Sequence, residues 1–281
     1  MPRILAKQSL SPNVTRLDVE APRIAEARQP GQFVIVRRGP GAERIPLTIA
    51  DADAARGAIA LVIQAVGKST RELAALEPGA SIADVCGPLG KPTELLERGH
   101  ALCIGGGVGT AVVHPLAQGL ARRGAAVTSV IGGRSREWVI FEAELARYGR
   151  VMVCTDDGSY GRKGLVTDAA RDLLDQGGVD MVYAVGPVPM MRAVAELTRP
   201  LKVPTIVSLN PVMVDGTGMC GGCRVNVGGK TLFACVDGPE FDGHQVDFDL
   251  LAERLATYRT QEKEALERHE ANCRIGLDRQ A

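Results

Sequence analysis

The sequence predicts two joined architectures, an antiparallel β-barrel or sandwich followed by a doubly wound α/β domain on a parallel sheet. Three observations predict it. Up to about residue 95, short alternating or apolar runs are separated by Gly/Pro punctuation, as in all-β folds. From His100 onward, strand-length apolar runs alternate with helical patterns, which implies a parallel sheet covered on both faces. After Leu209 the chain turns glycine-rich and carries Cys220, Cys223 and Cys235.

In the first part, residues 14–19, 33–36 and 59–63 read as strands. Turns fall at Pro30-Gly31, Gly39-Pro40-Gly41, Pro78-Gly79 and Gly87-Pro88. A short helix starts at Ser69 or Thr70 and runs to Leu76. In the second part, strands are expected at 101–104, 127–131, 151–154, 181–185 and 205–209. Helices are expected between them: one ending near Gly124, then 141–148, 167–175 and 189–198. Residues 210–247 read as irregular. From Phe248 the chain is polar and helical, with an apolar face of Leu250, Leu251, Leu255 and Tyr258 suited to core packing or to a partner.

At 281 residues the chain is long enough for two ordinary domains. Lys+Arg and Asp+Glu both number 33, a balance that gives no support to a nucleic-acid or anionic-membrane surface. No apolar run is long enough to span a bilayer, and the first residues lack an apolar signal core, so a cytoplasmic protein is expected. Seven cysteines, an odd count with only three clustered, are not a disulfide framework. Cys86, Cys103, Cys154 and Cys273 read as buried small side chains or inert thiols.

Asp215, Cys220, Cys223 and Cys235 form the pattern D-x4-C-x2-C-x11-C. Plant-type 2Fe–2S loops use C-x4-C-x2-C and a distant fourth cysteine, so this looks like such a loop with a carboxylate in place of the first thiolate. Gly216, Gly218, Gly221 and Gly222 free the backbone to wrap closely and donate amides to sulfur. A structural zinc site or unligated thiols are the alternative readings, although neither a second C-x2-C nor a histidine pair is present. His244 has no partner at metal spacing and reads as a loop residue.

Gly105, Gly106, Gly107, Val108, Gly109 and Thr110 lie where a strand opens into a helix, whose free amides suit a pyrophosphate. A glycine turn that merely packs helix on strand explains the same residues. Asp156 and Asp157 follow one strand, and Gly186 and Pro187 another, at the edge where open α/β sheets bind ligands. Arg134 and Arg136 stand where a ribose 2′-phosphate would fall, or face solvent. In the β-rich part, Arg44, Pro46, Leu47 and Thr48 precede a helix entry at Gly67, Lys68, Ser69 and Thr70, which reads as an anion site by its amide geometry or as an exposed arginine and a plain helix cap.

Together these residues resemble the ferredoxin–NADP reductase superfamily. Arg44-x-Pro46-x-Thr48 and Gly67–Thr70 match its flavin-phosphate signatures, Gly105–Gly109 and Gly186-Pro187 its nicotinamide half, and Pro30–Phe33 and Gly87–Gly90 further strand and turn signatures. Within it, the cysteine loop is similar to the electron-transfer subunits of dihydroorotate dehydrogenase. The aspartate form of the loop is more similar to the small subunits of electron-bifurcating NADH-dependent reduced ferredoxin:NADP oxidoreductases, also labelled sulfide dehydrogenases. The similarity covers nearly the whole chain; in the dihydroorotate branch a cysteine is expected where Asp215 stands.

The resemblance implies an FAD-binding barrel over 1–95, an NAD(P)-binding domain over 96–209, an iron–sulfur loop over 210–247 and a helical tail over 248–281. It implies FAD at Arg44–Thr48 and Gly67–Thr70, NAD(H) or NADP(H) along the sheet edge, and a 2Fe–2S cluster on Asp215, Cys220, Cys223 and Cys235. Hydride transfer then needs no catalytic side chain of its own. A large flavin and 4Fe–4S subunit is the implied partner, in a heterodimer, with ferredoxin as a further one. A zinc-stabilised nucleotide-binding redox sensor is the alternative of another class.

Overall fold

A computed structural model of the protein describes residues 1–278, with side chains described through residue 271. The first half comprises β1 (Ile4–Ser11), β2 (Val14–Glu20), α1 (Pro22–Ala27), β3 (Phe33–Arg37), β4 (Arg44–Asp53), β5 (Ala58–Gln64), α2 (Lys68–Ala74) and β6 (Asp84–Leu89). Its strands form one antiparallel sheet in the order β1-β2-β5-β4-β3-β6. The chain just before β6 then bonds to β1: Ile4 N donates to Ala80 O at 2.9 Å and Gly79 N to Ile4 O at 2.8 Å. That contact closes the sheet, so of barrel and sandwich the barrel is realised. Its filling comes from the inward residues of the strands, among them Leu17, Val34, Val36, Ile49, Ile59, Leu61 and Ile63, with Leu73 of α2 as a plug.

The second half comprises β7 (His100–Gly106), α3 (Thr110–Arg122), β8 (Ala126–Gly133), α4 (Glu142–Leu145), β9 (Arg150–Thr155), β10 (Arg162–Lys163), α5 (Val166–Asp175), β11 (Met181–Val185), α6 (Val188–Thr198) and β12 (Thr205–Ser208). The remainder is β13 (Arg224–Val227), β14 (Lys230–Phe233), α7 (Ala234–Asp237), β15 (Glu240–Asp242), α8 (Phe248–Ala256) and α9 (Arg259–Asp278). The sheet order is β10-β9-β8-β7-β11-β12-β15. Its strands are continuous apolar runs because both faces are covered. α3 packs on one face with Cys103, Ile131 and Tyr183; α5 and α6 pack on the other with Leu102, Val130 and Val182.

Several expectations need correction. Residues 210–247 are not irregular throughout: β13 and β14 form a hairpin, and β15 joins the large sheet antiparallel to β12. The sheet is therefore parallel with one antiparallel edge. The helix expected over 141–148 spans only Glu142–Leu145: Phe141 is left-handed at φ 63°, its buried ring 5.2 Å from that of His114 between centroids, and residues 146–148 form turns. Cys103 and Cys154 are buried as expected, but Cys86, on β6, is exposed. Cys273 lies outside the described side chains. Of the apolar face on α8, Leu251 is buried and Leu255 packs on the core, while Leu250 and Tyr258 are exposed.

The halves are joined along a polar-stitched seam. His114 of α3 is buried, with Nδ1 2.9 Å from Ala50 O. A carbonyl only accepts, so Nδ1 carries the proton. The Tyr183 hydroxyl of β11 donates to Glu94 O and accepts from Leu96 N, both at 2.9 Å, pinning the linker to the sheet. At the far end α9 returns to the barrel, where Glu270 pairs with Arg71 of α2 at 2.7 Å.

Candidate functional site

The glycines after β7 divide by role. A Cβ on Gly109 would lie 2.4 Å from Val185 O, and one on Gly105 2.9 Å from Thr110 Oγ1, so these two allow helix α3 and strand β11 to close on each other. Gly106 and Gly186 meet Met190 in the same way. Gly107 is different: its φ is +55° and a Cβ there would meet nothing within 4 Å. There the backbone is both left-handed and open, as a close-approaching ligand requires. Val108 packs partly into the core, and Thr110, buried, begins α3. The packing reading thus holds for Gly105, Gly106, Gly109 and Gly186, while Gly107 is left open.

Beside it along the strand ends, two loops brace each other. Asp156 N bonds to Gly133 O and Asp157 N to Arg134 O, both at 3.2 Å. The Asp157 carboxylate accepts from Ser159 N at 2.9 Å, and the hydrogen bonds of Ser159 hold its pKa below the ordinary value. Arg136 lies over the Tyr160 ring at 5.1 Å. Arg134 and Asp156 are exposed, and Pro187 caps α6.

On the barrel, strand alternation puts Arg44, Pro46 and Thr48 on one face of β4, while Leu47 packs against the barrel core. Glu43 accepts a hydrogen bond from Ser69 Oγ, so the starts of β4 and α2 are adjacent. The Thr70 hydroxyl is used locally, accepting from Gly67 N at 3.0 Å as a helix cap. Lys68 faces a cavity shared with Arg268 and His269 of α9. Arg44 Nε donates to Val214 O at 2.8 Å, tying the barrel to the cysteine loop.

That loop is shaped by Gly216, Gly218 and Gly221 at φ 79°, 84° and 67°. Cys223 and Cys235 are buried with Sγ atoms 3.1 Å apart. Burial first, then the Cys223 thiol, push the Cys235 thiol up to about 12. A bound cation would draw such sulfurs to thiolates. Amides face sulfur as well: Cys235 N lies 3.4 Å from Cys223 Sγ, and Gly222 N 3.5 Å from Cys220 Sγ. Asp215 accepts from Thr217 N at 2.7 Å and from Cys220 N at 2.6 Å, and these bonds, Thr217 first, hold it ionised below the ordinary carboxylate range. The fold thus joins Cys223 to Cys235 and Asp215 to Cys220. Among the described residues, three or more such groups do not converge on one metal position, and Cys220 is exposed. Three sulfurs, an ionised carboxylate with lone pairs to spare and amides aimed at sulfur suit an iron–sulfur centre in donor chemistry. His244 stays apart, its Nε2 2.9 Å from Thr198 Oγ1.

A barrel, a nucleotide-type sheet edge and a cysteine loop held by an arginine of the barrel define an oxidoreductase of ferredoxin-reductase architecture with an iron–sulfur domain. Residues 210–247 match the family model described as the iron–sulfur cluster binding domain of dihydroorotate dehydrogenase B. A Thermotoga maritima protein described as a homolog of the dihydroorotate dehydrogenase B (NAD(+)) electron transfer subunit is 46% identical, over 94% of each chain. The electron transfer subunit of that enzyme from Bacillus caldolyticus is 37% identical, over 86% of this chain and 96% of its own. A solved structure of the NADH-dependent reduced ferredoxin–NADP oxidoreductase superposes with a TM-score of 0.91 at 44% identity, over 95% of this chain and 97% of that one. The chain belongs to the family of dihydroorotate dehydrogenase B electron-transfer subunits and their homologues.

Sequence reasoning missed Glu240, Tyr183 and His114 as seam residues. Glu240 is part-exposed as a residue but its carboxylate oxygens are buried, and nothing in the local sequence Gly238-Pro239-Glu240-Phe241-Asp242 signals it.

Proposed function

We propose that the protein is the electron-transfer subunit of an NADH-dependent ferredoxin:NADP oxidoreductase of the bifurcating type, working with a larger partner subunit. The observation that carries this is the 0.91 TM-score match over 95% of the chain, joined to the aspartate form of the cysteine loop. FAD, a 2Fe–2S cluster and NAD(H) are its cofactors; when bound, they supply hydride acceptance and the passage from electron pairs to single electrons. The chain's own residues position them. Arg44 and the Gly67–Thr70 helix entry hold the flavin phosphates, and Gly107 and the first amides of α3 receive the dinucleotide pyrophosphate. Asp215, Cys220, Cys223 and Cys235 hold the irons.

The proposed division is a flavin barrel over 1–95, a nicotinamide domain over 96–209, the iron–sulfur region over 210–247 and a tail from 248. β15 belongs to the third by sequence and to the sheet of the second by hydrogen bonding, which couples them. Among the described residues no helix is long and apolar enough to cross a membrane, in keeping with a cytoplasmic site of action. The partner carries the next redox centres, and ferredoxin is a terminal acceptor or donor. The second reading, the dihydroorotate dehydrogenase subunit, is favoured by the family match over 210–247.

Anaerobic purification with the native partner tests both. Iron, acid-labile sulfide and flavin, with NADH bleaching the flavin band and coupled NADP and ferredoxin turnover, are expected. Orotate formation without ferredoxin turnover selects the second reading. A colourless zinc protein overturns both.

A further inference from the structure

The carboxylate oxygens of Glu240 are sealed inside the seam, and among the described residues no cation bonds them. Glu240 opens β15 opposite Ser208 of β12. Both of its carboxylate oxygens are shut off from solvent without a hydrogen bond of standard geometry, and the buried Thr93 hydroxyl lies close enough to act on them. A Cβ placed on Gly31 would lie 3.3 Å from Glu240 Oε1 and 2.1 Å from Thr93 Oγ1, so the loop after α1, the linker and β15 meet at this point. Three backbone amides hold the linker over it. Lys91 N donates to Gly238 O at 2.6 Å, Thr93 N to Pro30 O at 2.9 Å, and Leu96 N to the Tyr183 hydroxyl at 2.9 Å.

The titratable groups that face Glu240 from the sheet are the Cys103 thiol of β7 and the Tyr183 phenol of β11. Burial, then Glu240, push the Cys103 thiol up to about 12, and burial pushes the Tyr183 phenol there too. Arg123, after α3, acts on Tyr183 but spends its Nη1 on Leu95 O at 3.1 Å. On β15 itself, Asp242 accepts from His244 N and Gln245 Nε2. Among the described residues no cation bonds Glu240. A carboxylate anion in such a place is far costlier than the neutral acid.

We infer that Glu240 is a proton-carrying clamp: its neutral carboxyl lets the linker over residues 90–96 close between barrel and sheet, and its ionisation loosens that seam. The proton leaves to solvent as the seam opens and returns as it closes. In the closed seam, burial raises the carboxyl from 4.5 to about 7, the Thr93 hydroxyl acting in the opposite sense. In an opened, hydrated seam it returns to its ordinary value. Closure is therefore fully favoured below pH 4.5 and loses ground up to about pH 7. For one proton the loss is about tenfold per pH unit, and it levels off above. The seam sets the gap between the two cofactor-binding halves, so the clamp makes the proposed electron route respond to pH.

Hydrogen exchange read by mass spectrometry on the linker peptide tests this, whether or not the electron route holds. Full-length protein with the cofactors it retains is compared with Glu240→Gln at about pH 5 and pH 8, corrected for intrinsic exchange. Linker protection is expected to fall by at least about tenfold in the wild type and to stay flat in the variant. A flat wild-type profile, or an equal fall in the variant, overturns the clamp. Should the variant not fold, isotope-edited infrared spectra of wild-type protein decide. A protonated carboxyl band that persists at pH 6 and disappears by pH 8 supports the clamp; its absence at pH 6 overturns it.

Discussion

Tyr183 shows what a single side chain does here. It is fully buried and its hydroxyl joins two linker groups, so removal of that oxygen leaves Leu96 N–H without its acceptor. Tyr183→Phe is expected to lower stability by about 1–3 kcal/mol, read from urea denaturation midpoints. Asp215 works at the same scale for the cysteine loop. Asp215→Ala removes both the carboxylate donor and the acceptor of two loop amides. Iron bound per chain is expected to drop, and an unaltered cluster spectrum and potential would speak against ligation. The donor types at 215, 220, 223 and 235 were readable as a pattern. Their grouping into two pairs was not, because it depends on amides that the folded loop aims at Asp215.

At the scale of elements, the strand-to-helix turn after β7 was legible from its glycines, but not their division of labour. Gly109→Ala puts a methyl group 2.4 Å from the Val185 carbonyl, backbone against backbone. A cost of about 1–3 kcal/mol is expected for such overpacking, measured by thermal or urea unfolding. Gly107→Ala meets open space, so its stability cost is limited to about 1–2 kcal/mol of left-handed strain. Its larger expected effect is weaker NADH binding, read by titration of flavin reduction. The helix expected over 141–148 starts a residue late because apolar periodicity does not report a left-handed residue, and Phe141 adopts that conformation with its ring against His114. β15 was hidden because three residues make no periodic signal; its identity as a strand comes from β12.

Across the whole molecule, stability should carry the mark of Glu240. Its carboxyl is raised in the folded state, so its neutral form is the favoured one. The related stability is complete below pH 4.5, is lost as pH rises to about 7, and stays lost above. The shift corresponds to about 3 kcal/mol between those limits. Asp157 and Asp215, held below their ordinary 3.8, act in the other sense only at more acidic pH. Denaturation of wild type and Glu240→Gln at about pH 5 and pH 8 checks this. The wild type should lose more stability across that interval than the variant, and parallel losses would refute the assignment.

The residue order alone determined the two architectures, the strand and helix sequence of the second half, and the aspartate–cysteine pattern of the region 210–247 that the iron–sulfur family model matches. These follow from local periodicity and spacing, which the chain carries in itself. Only the tertiary structure decided that the first half closes as a barrel and that the iron–sulfur region lends a strand to the nicotinamide-type sheet. It also decided which glycine faces open space and that a lone carboxylate is sealed where three segments meet. Those outcomes depend on contacts between residues far apart in the chain, such as Gly31 with Glu240 or Gly79 with Ile4, and no local pattern encodes such contacts.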